Sequence, residues 1–279
     1  MSNAVTKALF IIGLPLISYI STSCSDDNVK RAENLLSSAE ESLANHDFNH
    51  TLSLLDSIDH AYPKVIDVRK KAMSIRPKAM EGAIINKIAE TDSMLAINLI
   101  AGDSLSRNLI KIDNPIEPYF ISQADANIKS QYNVEGLHGR VAPDGMFYII
   151  ASASGSAPFT TIAVETGGLT AETSAVNPDG ERNRMLDKNR VITYIAGECD
   201  SVGRILSDYN TPATVILKNG DKEIKRFTLS ESQREGISDT YLTAQAFMKC
   251  HLLRIEKAKL EKQLSLSRQQ IADTYSTKD

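Results

Sequence analysis

The feature that most constrains the fold is a change in the spacing of apolar residues along the chain. Before about residue 113, apolar side chains recur at alternate spacings of three and four, the pattern of an amphipathic helix. From about 114 to 229 they form short β-rich runs between turn residues, and from 230 the helical spacing returns. Because helical segments flank the β-rich one, pairing them in antiparallel fashion would bring its two ends together. We therefore predict an α+β fold, in which a helical stalk of N-terminal helices paired with a C-terminal helix carries an antiparallel β-rich domain.

The helical region, residues 29–113, contains several predicted helices. Its first apolar stripe consists of Val29, Ala32, Leu36, Ala39 and Leu43. The turn residues 45–47 interrupt this stripe, and a second one follows over residues 48–58. Pro77 predicts a break or a new helix start, because proline lacks the backbone N–H that a helix interior needs. Beyond it, Ser104 is expected to cap a further turn through Leu109.

The segment LANHDFNHTLSLLDSIDHAYP, residues 43–63, is similar to the loop and second helix of a tetratricopeptide repeat. Phe48 stands after the turn and Pro63 closes the unit, whereas Thr51 replaces the small residue that such repeats usually carry. No second copy follows at the expected period. Because these repeats bury their cores by stacking, a single repeat-like hairpin predicts a structural role and not a peptide-binding groove.

In the β-rich region, residues 114–229, strand-forming residues occur in short runs. The predicted strands are MFYIIASAS, FTTIAVET, NRVITYIA and the two halves of PATVILKNGDKEIKRFTLS. Asn219-Gly220 in the last of these predicts a tight hairpin turn. Residues 202–209 predict one short helix. Together these segments indicate a compact antiparallel β domain with one helix.

The C-terminal region, residues 230–279, is predicted to form a helix followed by a polar tail. Ser230 or Ser232 can cap it. Its apolar side is traced by Ile237, Tyr241, Ala244, Met248, Cys250 and Ile255. A coiled-coil heptad seam is interrupted at His251 and Lys262, so we expect its partner within the same chain.

The N-terminus has the features of a secretory signal peptide, residues 1–23. Lys7 is the only charged residue before Cys24, and the run from Ala8 to Thr22 is apolar or small throughout. Such a run is too short to span a bilayer comfortably. Ser21-Thr22-Ser23-Cys24 resembles a lipobox, although Ser21 stands where leucine is commonest. The resemblance implies that Cys24 is the lipidated, palmitate-bearing first residue of the mature chain; an ordinary or uncleaved signal peptide is the alternative.

The residues after Cys24 resemble the acidic tether of surface lipoproteins of Bacteroidota. Ser25, Asp26 and Asp27 form this tether within residues 24–28. The helix–β–helix order also resembles uncharacterised outer-membrane lipoproteins of that phylum. These resemblances imply a lipid-anchored outer-membrane protein with a tetratricopeptide-like N-terminal hairpin, exposed at the cell surface by the tether. A solvated acidic linker that no receptor recognises is the alternative.

The charge composition limits the classes of partner that this chain can bind. Removing residues 1–23 takes away Lys7 alone among the charged residues, which leaves 30 basic against 35 acidic side chains. A mildly acidic chain with interspersed charges argues against nucleic acid, which requires a clustered basic face. Cys199 and Cys250 are the only cysteines after Cys24. They can pair in an oxidising compartment, but the apolar setting of Cys250 favours a buried free thiol.

No catalytic or metal-binding motif emerges from the sequence. His46 and His50 are four residues apart, but a predicted turn separates them and no carboxylate completes a metal site. Residues 177–181 have a calcium-loop composition, but a polar turn explains them better. The serines of residues 152–156 lack the G-x-S-x-G pattern. Tyrosines at four positions can offer stacking surfaces in a chain without tryptophan, although the sequence does not group them: Tyr119, Tyr132, Tyr148 and Tyr194.

Two functional hypotheses follow. The first is a non-catalytic envelope lipoprotein that acts as a binding or scaffold module for another envelope protein. The second is a surface protein that binds or processes carbohydrate. Neither implies a cofactor, metal or nucleic acid, and a purely structural spacer is a third possibility. An enzymatic role finds no motif in its favour, and resemblance at the level of the fold does not establish function.

Overall fold

The computed structural model describes residues 23–115, 117–126, 131–155, 157–178 and 180–276. The helices of this part of the chain are α1 (Ser23–Ala44), α2 (Phe48–Ala61), α3 (Ile66–Ser106), α4 (Asp200–Asp208) and α5 (Glu231–Ser276). None of them combines the length and apolar character that crossing a membrane requires. Residues 1–22, which carry most of the predicted signal peptide, lie outside the described residues.

The strands form two antiparallel sheets. They are β1 (Leu109–Ile112), β2 (Tyr119–Ser122), β3 (Gly136–Val141), β4 (Phe147–Ser154), β5 (Thr161–Thr166), β6 (Leu169–Glu172), β7 (Asn183–Leu186), β8 (Asn189–Ile195), β9 (Thr214–Asn219) and β10 (Lys222–Thr228). The first sheet has the order β1-β2-β3-β4-β8-β7 and the second the order β10-β9-β5-β6. Every pairing is antiparallel, for example Gly139 with Ile149 and Ile150 with Thr193.

The chain divides into two compact units. The first, which we call the helical unit, contains α1, α2, α3 as far as Lys87, and α5 from Glu261. Its core is formed by apolar side chains of the first three helices, namely Ala32, Leu36, Ala39, Leu55, Ile58, Val68 and Ala72. Arg76 of α3 donates to Asp56 and Asp59 of α2, at 2.6 and 2.8 Å.

The C-terminal helix packs on α3 within the helical unit. The Ser267 hydroxyl donates to the carbonyl of Pro77 at 3.1 Å, and Arg268 donates to Glu81 at 2.8 Å. Ser267 itself is buried, with 2% of its surface exposed. The predicted pairing of the C-terminal helix with the N-terminal helices is therefore confirmed.

The second unit, the β unit, spans Ile88–Leu260. Both sheets, α4 and the beginning of α5 enclose one core, which includes Leu137, Ile149, Ile162, Leu206, Leu217 and Ile237. Within this unit α5 also packs on α3, because a Cβ built on Gly102 would lie 3.4 Å from the Phe247 ring and Lys257 donates to Asp92 at 2.7 Å. The α+β class with antiparallel sheets is thus confirmed.

Several local expectations differ from the structure. The break or new helix start predicted at Pro77 is wrong, because Pro77 lies inside α3. The buried Ala72 and Ala79 on either side of it stabilise the continuous helix by packing. The predicted turn from Ser104 through Leu109 is also wrong, since α3 ends at Ser106 and Leu109 begins β1.

The C-terminal region departs from expectation as well. The predicted polar tail beyond Ser265 continues as helix to Ser276, because contacts such as those of Ser267 hold it against α3. Ile255, expected on the buried side of this helix, is 53% exposed. Ser230 is the cap, with its hydroxyl accepting from the Gln233 N–H at 3.2 Å.

Candidate ligand-binding cleft

A cleft of about 260 Å³ lies on the face of the six-stranded sheet that points away from the core. Successive residues of a strand point to opposite faces, so Leu137, Ile149 and Ile192 enter the core while their neighbours face outward. The residues that line the cleft are Asn114, Glu117, Tyr119, Arg140, Ala142, Tyr148, Ile150 and Thr193.

Arg140 of β3 is the only cation among these lining residues. Its guanidinium carbon lies 4.4 Å from the centre of the Tyr119 ring and 5.0 Å from that of Tyr132. Both distances allow cation–π attraction. Its Nε donates to the side-chain oxygen of Gln131 at 2.9 Å. The aromatic rings and the amide oxygen therefore restrain the guanidinium.

One donor of Arg140 is left without a partner. Its Nη2 is buried and makes no hydrogen bond within the described part of the chain. The side-chain nitrogen of Gln131, which is fully buried, is likewise unpaired. Buried polar groups are nearly always hydrogen-bonded, and an unsatisfied one costs about 1–3 kcal/mol, or more when it is charged. Two unsatisfied donors beside one cleft therefore mark it as a place where a ligand acceptor would be stabilised.

The segment that carries Gln131 and Tyr132 is held firmly over the sheet. The carbonyl of Tyr132 accepts from Ser152 at 2.7 Å and from Asn189 at 3.0 Å. The carbonyl of Glu135 accepts from Gln233 of α5 at 3.0 Å, and its carboxylate pairs with Lys225. Burial alone would raise the pKa of Glu135, but Lys225 and the Ser154 hydrogen bonds lower it overall.

A buried histidine–aspartate pair supports the same segment. His138 lies two residues before Arg140 and is 1% exposed. Its Nδ1 lies 2.5 Å from Oδ2 of Asp125, and its Nε2 lies 3.3 Å from the Val134 carbonyl. His138 does not line the cleft. We therefore assign it a structural role in positioning the loop that precedes β3.

Tyr148 and Glu117 supply further polar groups to the cleft wall. The Tyr148 hydroxyl donates to the sulfur of Met146 at 3.1 Å. Burial, and to a smaller extent the charges of Glu117 and Asp144, raise the pKa of Tyr148. Its hydroxyl therefore stays neutral at physiological pH and can donate or accept a hydrogen bond.

The structure groups three of the four tyrosines that the sequence left ungrouped. Tyr119, Tyr132 and Tyr148 all lie at or beside the Arg140 cleft. Tyr194 points the other way, into the core, where its hydroxyl donates to the Thr160 carbonyl at 3.0 Å and burial raises its pKa. These three tyrosines come together through the pairing of strands, and the spacing of residues along the sequence does not show which strands pair.

Arg140 itself was not singled out from the sequence. It lies in the segment GLHGRV, whose two glycines weaken the strand pattern, so β3 was not predicted. The signal that remains is the alternation of polar His138 and Arg140 with apolar Leu137 and Val141. Recognising it requires knowing beforehand that this segment is a strand.

The other candidate residues do not converge on a site. His46 and His50 are both exposed, on the loop and first turn of α2, and no group of three or more metal-ligating side chains occurs among the described residues. Ser152 donates to a backbone carbonyl and Ser154 to Glu135, while Ser156 and Asp179 lie outside the described residues.

Cys199 and Cys250 are buried free thiols, and burial raises the pKa of Cys199 to about 12.

The residues of the expected lipid anchor begin α1. The backbone of Cys24 and Ser25 belongs to this helix, and their side chains lie outside the described residues. Asp26 and Asp27, expected in a tether, are exposed in the first turns of α1, where Asp27 pairs with Arg31 at 2.9 Å. Acidic side chains stabilise a helix N-terminus, which explains why the acidic segment is helical.

Comparison with known proteins gave no match to a family model, a curated protein or a solved structure.

Proposed function

We propose that this chain is a non-catalytic lipoprotein of the cell envelope that binds another envelope protein, and that the Arg140 cleft is its recognition site. The observation that carries the proposal is the guanidinium of Arg140, which contacts two tyrosine rings and whose Nη2 is unpaired within the described part of the chain. Arginine and tyrosine are the residue types that dominate binding energy at protein interfaces. The loop that carries Tyr132 is fixed by several hydrogen bonds, so the site is largely pre-formed.

The envelope location is supported by the sequence around Cys24. A short basic region, an apolar run and a lipobox-like cysteine are the features of an exported lipoprotein. Acyl chains on one cysteine supply about 0.8 kcal/mol per buried methylene, which anchors a protein without a spanning helix. The exposed Asp26 and Asp27 follow this cysteine and are the proposed signal for delivery to the outer membrane and cell surface.

A second candidate function is carbohydrate binding at the cell surface. The observation that favours it is the grouping of Tyr119, Tyr132 and Tyr148, since tyrosine rings can stack on sugars. Two of these rings, Tyr119 and Tyr132, already contact the guanidinium of Arg140, which leaves less of their surface for a sugar. This occupation makes a protein partner the better proposal.

Cross-linking on intact native cells, followed by affinity capture and mass spectrometry, tests the binding role. We expect one protein in near-stoichiometric amount with the wild-type chain and its loss with Arg140→Gln. Arg184→Gln is the matched control, because Arg184 is an exposed arginine on β7 of the same sheet. Recovery of the lipoprotein alone from wild-type cells would refute the protein-binding role. Capture that is insensitive to Arg140→Gln would place the interface elsewhere.

Lipidation at Cys24 can be tested in the same cells. Cys24→Ala is expected to abolish incorporation of a palmitate analogue and to release the chain from the outer-membrane fraction. Cys250→Ala controls for nonspecific labelling of thiols. A chain that stays in the membrane fraction without label would contradict lipidation at Cys24.

A further inference from the structure

We propose that the group recognised in the Arg140 cleft is a carboxylate, bound edge-on by the two terminal nitrogens of the guanidinium. The inference rests on the proposed function, in which this cleft is the recognition site, and it adds the chemistry of the ligand. The arrangement that carries it is an arginine whose terminal Nη2 makes no hydrogen bond within the described part of the chain, beside a small, partly apolar cleft.

The guanidinium already makes three contacts within the chain. The Tyr119 and Tyr132 rings lie 4.4 and 5.0 Å from its carbon atom, and Nε is used by Gln131. A guanidinium donates only in its own plane, so the edge formed by Nη1 and Nη2 is where a ligand can be bound. That edge matches the two oxygens of a carboxylate in paired, parallel hydrogen bonds.

Arg140 has no counter-ion among the described residues, whereas the half-buried Arg76 and Arg182 each have one. Arg182 donates to both oxygens of Glu198 at 2.6 and 3.0 Å, and Arg76 bridges Asp56 and Asp59. No ion pair of Arg140 with a described carboxylate exists, and Glu117, the acidic residue of the cleft wall, is exposed. A partly buried cation without a counter-ion, and with one buried donor unpaired, is energetically costly, and an external carboxylate would reduce that cost.

The charge of the cleft favours a carboxylate over a phosphate. Its described lining contains one cation, Arg140, and one anion, Glu117. A phosphate group carries a charge of about −1.5 to −2 near neutral pH and is usually held by several cations or backbone N–H groups. A singly charged group balances Arg140 with less repulsion from Glu117.

The size and floor of the cleft indicate what the carboxylate is attached to. A volume of about 260 Å³ holds one side chain, one chain terminus or one sugar ring. Ala142 and Ile150 provide an apolar floor for the carbon atoms next to the carboxylate. An acidic residue or C-terminus of a partner protein and a uronic-acid sugar share this chemistry.

Nη2 is closed to solvent in the free chain, so binding requires a neighbouring group to move, and the Tyr119 and Tyr132 rings lie beside the guanidinium. Tyr132 belongs to the firmly held loop, so Tyr119 is the ring expected to shift. The chain contains no tryptophan, and its near-ultraviolet spectrum therefore reports mainly on tyrosine. A tyrosine difference spectrum would accompany binding of the correct ligand.

The experiment titrates the full chain, purified from its native membrane in detergent, with matched pairs of probes. One pair is an N-acetylated alanine tripeptide with a free C-terminal carboxylate and the same peptide as the amide. The other pair is trigalacturonate and its methyl ester. Calorimetry measures affinity, and near-ultraviolet difference spectra follow the tyrosines.

We expect one of the free carboxylates to bind at least about tenfold more tightly than its neutralised counterpart, with a tyrosine difference spectrum. Arg140→Lys keeps the charge but loses the planar fork, and should weaken this binding about tenfold. Because the Nε bond to Gln131 is lost as well, circular dichroism checks that the variant is fully folded at the temperature of the titration. Arg184→Lys should bind like the wild type. Preference for the peptide indicates a protein source, and preference for trigalacturonate a uronic-acid glycan.

The inference is overturned if neither carboxylate binds, if the neutral probes bind equally well, or if Arg140→Lys binds like the wild type. If carboxylate binding fails while capture on cells still depends on Arg140, the recognised group is not a carboxylate, but the cleft remains the recognition site. Capture that does not depend on Arg140, with carboxylate binding intact, would instead place the protein interface elsewhere and leave the cleft as a small-molecule site.

Discussion

At the scale of single residues, glycines on β3 determine how closely α5 approaches the sheet. A Cβ built on Gly139 would lie 2.0 Å from the Thr240 hydroxyl and 3.0 Å from the backbone Cα of Ile237. A Cβ on Gly136 would lie 2.0 Å from the Gln233 side chain. These close approaches bring Gln233 to the carbonyl of Glu135 and so help to fix the loop beside the cleft. The glycines that weakened the strand signal in the sequence are therefore required by packing.

Gly139→Ala tests this packing. The added methyl group meets helix backbone, which cannot rotate away as a flexible side chain can, so we expect destabilisation of about 1–3 kcal/mol. Thermal unfolding followed by circular dichroism would show the loss as a lower midpoint, about 2–4 °C per kcal/mol for a chain of this size. Gly197→Ala is the control, since nothing lies within 4 Å of a Cβ at that position. Equal midpoints for the two variants would show that α5 adjusts easily.

At the scale of elements, the sequence predicted those whose residues repeat regularly. The strand runs of β4, β5 and β8, the α4 helix, and the β9–β10 hairpin all have a clear local pattern. The hairpin turn is displaced by one residue, because Asn219 pairs with Lys222 and Gly220, with φ 59°, is the first turn residue. Glycine supplies the positive φ that such a turn needs.

Other elements could not be predicted because tertiary contacts define them. β1 and β2 are four residues long, and β3 contains two glycines, so each depends on its neighbours in the sheet. The cleft has the same origin, since β2, β3, β4 and β8 bring Tyr119, Arg140, Tyr148 and Thr193 to one face. The continuity of α3 through Pro77 likewise reflects packing that outweighs a local preference.

Pro77→Ala tests the energetic cost of that continuity. The substitution restores the backbone N–H that proline lacks and removes the ring from the helix interior, where proline costs about 3 kcal/mol. Greater freedom of the unfolded chain offsets about 0.4–1 kcal/mol of the gain. We therefore expect net stabilisation of about 2–2.6 kcal/mol, measured by urea unfolding.

The Pro77→Ala experiment has a matched control in the same helix. Met73→Ala changes a side chain that is 64% exposed and should leave the urea midpoint within about 0.5 kcal/mol of the wild type. The Ser267 hydrogen bond is to the backbone carbonyl of residue 77 and is retained in the variant. A loss of stability in Pro77→Ala would mean that contacts of the proline ring outweigh the missing hydrogen bond.

At the scale of the whole molecule, α3 and α5 contribute to both units. α3 is in the helical unit as far as Lys87 and in the β unit from Ile88, and α5 changes at Leu260. Each unit has its own apolar core, one among α1–α3 and one between the sheets. Because α5 reaches the helical unit only through its residues after Leu260, the two units should respond differently to loss of that end.

A chain that ends at Leu260 tests this division. It lacks Ser267 and Arg268, which bond to Pro77 and Glu81, so the helical unit loses buried contacts while the core of the β unit keeps every residue. Hydrogen exchange of backbone amides should accelerate at least about tenfold over α1, α2 and α3 up to Lys87, and stay unchanged in β3, β4 and β8. A chain that ends at Ser276 is the control and should exchange like the full chain. Uniform acceleration across both units would instead mean that the molecule opens as one cooperative body.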